Sequence, residues 1–154
     1  MPEYFDISFI APGTSSSRYE MESCLNYVGL SEGENVTKLF SGRQIIATII
    51  DDSEADFEEL SIGIANQVFH KKTFEKEIEE LTSFVNHCFE YNANLKYALC
   101  SYELNGYLLR GLKKIKDFNN SYFLKRFPIV YERKNAFEQP LLQINKESQD
   151  IYNI

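Results

Sequence analysis

Residues 74–91 carry an amphipathic helical stripe that constrains the fold more than any other part of the chain. Phe74, Ile78, Leu81, Val85 and Cys88 recur at alternating spacings of four and three, and Phe84 and Phe89 widen the stripe. A helix that is apolar on one side must bury that side against another element. Thr73 reads as its N-cap, and Glu75 and Glu77 suit the positive end of its dipole. The remaining apolar runs are short and bounded by turn residues, so the helix is expected to pack on a sheet.

In residues 3–10, Phe5, Ile7 and Phe9 form one wholly apolar face, which reads as a first strand broken by Pro12-Gly13-Thr14. Ser17 and Glu20 match a capping box, with Met21, Leu25 and Val28 behind them, so a short helix is expected to end near Gly29. Val36–Phe40 and Gln44–Asp51 flank Ser41-Gly42 and predict a hairpin. Ile45–Ile50 is apolar almost throughout, which makes it the expected central strand. Residues 58–69 fit strand or helix periodicity; Gly63 and the isoleucines tip them toward strand. Leu95–Glu103 and Tyr122–Glu132 read as further strands, with Pro128 pointing to an edge or a bulge, and residues 107–116 as a short basic helix. The expected class is α+β: a largely antiparallel sheet with two or three packed helices. Residues 1–134 are expected as a single domain, and 135–154 as a C-terminal tail, docked or extended.

The chain has 154 residues, 44% of them hydrophobic, enough for one core without metal or disulfide support. No apolar run reaches bilayer-spanning length. Met1–Ile10 carries Glu3 and Asp6 without Lys or Arg, unlike a signal peptide. Three cysteines (Cys24, Cys88, Cys100) form no CxxC pattern. Reduced thiols in a cytoplasm are the expectation. His70 and His87 are the two histidines, and no ligand-spaced cluster surrounds them, so neither a metal nor a cofactor is expected. Cys88 and Cys100 fall on apolar faces and read as small core residues rather than nucleophiles.

The net charge of −7 is unevenly spread. Residues 1–109 hold 18 acidic and 7 basic side chains, whereas residues 110–134 hold 2 and 8. Asp51, Asp52, Glu54, Asp56, Glu58 and Glu59 crowd six acids into nine residues, without the glycine and final glutamate of an EF-hand loop. They read either as a solvated loop or as a docking surface for a basic partner, which would speed association. The basic stretch, with Tyr122, Phe123 and Phe127 interleaved, has the makings of a single-strand nucleic-acid site. The acidity of the whole chain favours internal pairing instead. Pro12–Arg18, between strand and helix, reads as a flexible loop with a Ser cap; the alternative is a phosphate site built from its backbone amides, hydroxyls and Arg18, although it matches neither the P-loop nor the GxGxxG pattern.

In size, acidity, the cluster Asp51–Glu59 and its 22 Tyr and Phe residues, the chain resembles bacterial toxin-immunity proteins of the contact-dependent growth inhibition and polymorphic toxin type. The resemblance implies a non-catalytic protein that binds and blocks a cognate toxin, such as a nuclease. The six acids would form the contact surface and exposed tyrosines its anchors. The alternatives are a phage-encoded inhibitor of a defence protein and a small enzyme acting on a phosphorylated small molecule. That enzyme would use the loop at Gly13–Arg18, with His70 or a carboxylate as base.

Overall fold

A computed structural model describes residues 4–13, 33–36, 44–50, 55–65, 72–102, 114–118, 127–135 and 137–145. Seven strands form one sheet: β1 (Tyr4–Pro12), β2 (Gly33–Val36), β3 (Gln44–Ile50), β4 (Phe57–Ala65), β5 (Tyr97–Tyr102), β6 (Ile129–Glu132) and β7 (Leu141–Ile144). The spatial order is β2-β3-β4-β1-β5-β6-β7, and every neighbouring pair is antiparallel. One helix, α1 (Phe74–Tyr91), crosses from β4 to β5, and a 3-10 turn covers Ile115–Asp117. The α+β class therefore holds, with a single α-helix among the described residues. The helix expected at Ser17–Gly29 lies outside them. Of the basic helix expected at 107–116, the described end is the 3-10 turn.

The helix occupies the residues its stripe predicts. Phe74, Ile78, Leu81, Phe84, Val85, Cys88 and Phe89 are buried, and they pack on Phe5, Ile7 and Phe9 of β1 with Leu60, Ile62 and Ile64 of β4. The Phe9 ring centroid lies 6.3 Å from Phe84 and 6.2 Å from Phe89. Thr73 holds the N-cap position, but its hydroxyl donates to the Glu77 carboxylate and accepts no backbone N–H of the first turn. Residues of opposite parity form a second core on the other face: Ile10, Phe57, Tyr97, Leu99 and Val130 close around Phe118 and Phe127. Phe118 meets Phe57 edge-on at 5.0 Å and Tyr97 at 5.6 Å.

Several expectations are corrected. The central strand is β1, not Ile45–Ile50, which forms β3, second from one edge. β1 is buried on both sides: Phe5, Ile7 and Phe9 under the helix, Ser8 and Ile10 on the far face. An all-apolar run reports cover on both faces and says nothing of position in the strand order. The strands of the expected hairpin pair antiparallel, with Val36 opposite Gln44; the described part of the first arm is Gly33–Val36, and residues 37–43 lie outside the description. Residues 57–65 are strand, as Gly63 and the isoleucines suggest. Pro128 directly precedes β6, an interior strand; its carbonyl accepts from Asn145 N at 2.8 Å, and its missing N–H leaves only the reciprocal bond of that pair unmade, just before the strand begins. The sheet also runs past residue 134. Within the segment expected as a docked or extended tail, Leu141–Ile144 pairs with β6 as β7.

Candidate partner-binding groove

Of the acidic run, Asp56, Glu58 and Glu59 are described. Asp51, Asp52 and Glu54 lie outside the described residues. Asp56 is half-buried and ties loops together: its Oδ1 accepts from Ile115 N at 2.7 Å and its backbone carbonyl accepts from Gly13 N at 2.8 Å. Glu58 and Glu59 each retain only 8% exposure. Consecutive strand residues point to opposite faces. Glu58 stands opposite Ala11 in the ladder and Glu59 opposite Ile10, so the two carboxylates leave β4 on different sides of the sheet. Both are buried strand residues.

The other sequence candidates divide in the same way. His70 and Thr14–Arg18 lie outside the description, as do residues 110–113 and 119–126 of the basic stretch. Cys88 and Cys100 are buried free thiols, and burial pushes the Cys100 thiol well above its usual range. Such a thiol is a poor nucleophile.

A different part of the molecule gathers exposed chemistry. Its foundation is Arg133, 4% exposed, directly after β6. A helix end leaves carbonyls without partners and a partial negative charge, and the last turn of α1 has no basic residue of its own. Arg133 reaches it from a distant strand. Nη1 donates to Phe89 O (2.7 Å), Nη2 to Asn92 O (2.6 Å) and Nε to Leu95 O (3.0 Å). Burial lowers its pKa, but guanidinium is basic enough to stay charged.

Beyond this anchor the chain turns back alongside α1. Glu138 N donates to Asn135 O (3.2 Å), and Asn135 Nδ2 donates to Glu138 Oε1 (3.3 Å). Within the turn Phe137 has φ 72° and is 93% exposed. A bulky side chain at positive φ is an outlier that local strain opposes. Folding therefore sets a large aromatic ring in solvent from an unfavourable backbone.

Between the turn and the helix runs an open groove of about 420 Å³, lined by Ile78, Glu79, Thr82, Ser83, Asn86, His87, Glu90 and Gln139. It continues into a smaller hollow of about 180 Å³ that adds Phe89, Ala93, Arg133, Phe137, Glu138 and Pro140. Thr82 is fixed by a 2.8 Å hydrogen bond between its hydroxyl and that of buried Tyr131. Asn86 Oδ1 is shielded from solvent and takes no hydrogen bond among the described residues. Glu79, Glu90 and Glu138 are exposed around the opening. The groove thus offers an aromatic knob and a negative rim.

Comparison with protein-family models, with curated proteins and with solved structures finds no match. The groove stands on its geometry alone. Sequence reasoning passed over Phe137, Glu138, Gln139 and Pro140 as polar tail. The available signal was one Phe isolated among Lys134, Asn135, Glu138 and Gln139.

Proposed function

We propose that the chain is a non-catalytic binding protein that neutralises a basic partner protein, as an immunity protein blocks its cognate toxin in the cytoplasm. The observation that carries the reading is Phe137, which presents its ring to solvent at positive φ beside a groove rimmed by Glu79, Glu90 and Glu138. Exposed aromatics in such settings anchor interfaces. Carboxylates around them set partner sign and association rate. The overall charge of −7 adds a long-range field of the same sign.

The test is affinity capture from the source cells with wild-type chain and Phe137→Ala, at low and moderate salt. The expected result is one stoichiometric basic protein on the wild type, absent from the variant. Expression of that protein alone should harm cells, and co-expression of the wild-type chain should relieve the harm. Recovery of the chain by itself at both salts overturns the reading. A captured defence protein, harmless when expressed alone, selects the phage-inhibitor alternative.

A further inference from the structure

We infer that β7 is a strand-addition site, at which an extended basic segment of the partner pairs with the outer edge and lies in the groove against α1. The inference rests on the binding role proposed above and specifies the form of the contact.

The register identifies the groups involved. Asn145 N donates to Pro128 O, which makes these two a hydrogen-bonded pair of the β6–β7 ladder. Val130 faces Gln143 and Glu132 faces Leu141. Antiparallel alternation then directs the N–H and C=O of Leu141 and Gln143 toward β6, and those of Leu142 and Ile144 away from it. Among the described residues β7 is the last strand. The side chains of Leu142 and Ile144 pack half-buried on the helix-covered face. A strand bonded to Leu142 and Ile144 sets the side chains opposite them on that same face, toward α1.

Charge selects the occupant. Among the described lining residues Arg133 is the one Lys or Arg, and its guanidinium is committed to three carbonyls. Glu79, Glu90 and Glu138 are exposed to face a ligand, and the Phe137 ring to receive a cation. The segment therefore alternates apolar residues with Lys or Arg. A second copy of a chain carrying −7 brings like charge to the rim. A docking helix leaves the outward groups of Leu142 and Ile144 unanswered, whereas an extended backbone satisfies them.

The experiment selects binders to the intact chain from a displayed library of random peptides of roughly ten residues. The expected winners alternate apolar residues with Lys or Arg, and they slow amide exchange at Leu142 and Ile144 of the wild-type chain. Leu142→Pro should weaken them by about tenfold or more, while Leu142→Ala, which keeps the N–H, weakens them less. The proline removes an outward donor and no bond to β6, so folding should survive; the exchange measurement needs no variant. Winners that need Phe137 yet leave exchange at Leu142 and Ile144 unchanged overturn strand addition while the binding role stands. Absence of enrichment, or winners without Lys or Arg, overturns the inference. So does a dimer that protects the same two amides, because the edge then belongs to a second copy.

Discussion

Arg133 places its guanidinium carbon 4.7 Å from the centroid of the Phe89 ring and donates from Nη1 to the carbonyl oxygen of Phe89 itself. One side chain holds both the ring and the backbone of the last turn of α1, and the same residue starts the turn that carries Phe137. Replacement by Ala strands three carbonyls and should cost about 3 kcal/mol. Arg133→Lys should recover only part, about 1 kcal/mol, because one ammonium does not reproduce a planar fork with three acceptors. Urea denaturation checks both. A loss under about 1 kcal/mol for the alanine variant, the size of a surface ion pair, would contradict this account.

Phe137→Gly separates stability from function. Glycine adopts positive φ without strain, so the variant should gain about 1 kcal/mol, raising Tm by about 3 °C. It also deletes the exposed ring and should abolish partner capture. Calorimetry and capture on the same preparation read the two effects. A lower Tm would show that the ring supports the fold.

The carboxylates differ in role. Glu79→Gln, Glu90→Gln and Glu138→Gln together should slow association with the partner and flatten its dependence on salt. Asp56→Ala should leave association unchanged and cost about 1 kcal/mol by removing the acceptor of Ile115 N. Stopped-flow association over a salt series, with thermal melts alongside, distinguishes the two. Equal association rates for the triple variant and the wild type would remove the groove rim from the interface.

Tyr97 gives a signature at high pH. Burial first, then the charge of Glu132 and a hydrogen bond with it, push its phenol up to about 12. The unfolded phenol titrates near pH 10. Above that pH the unfolded chain releases a proton that the folded chain keeps, so stability falls as pH rises from about 10 to 12. Tyr97→Phe should make this fall shallower. Urea midpoints across the window, with tyrosinate absorbance, test it, and an unchanged slope would exclude Tyr97 as a contributor.

How much of this was legible depends on the range of the interaction. The stripe of α1 and the Phe5-Ile7-Phe9 face repeat within a few residues, so periodicity exposes them directly. β4 was recoverable because Gly63 and two isoleucines, Ile62 and Ile64, weigh against helix. The burial of Glu58 and Glu59 was not legible, because adjacent acids look like solvent-facing loop, whereas in β4 strand alternation sends them to opposite faces. β7 is four residues long and follows a polar turn, too short for a period to emerge. Arg133 serves carbonyls 38 to 44 positions away, a relationship with no local trace.

The position of β1 has a consequence during synthesis. It is made before both of its neighbours, β4 and β5, and the second is complete only at Tyr102. At roughly 5–20 residues per second, Phe5, Ile7 and Phe9 wait several seconds on the ribosome with both edges of their strand open. That interval, more than the finished sheet, is when a nascent chain of this design is most prone to aggregate and has most to gain from a chaperone.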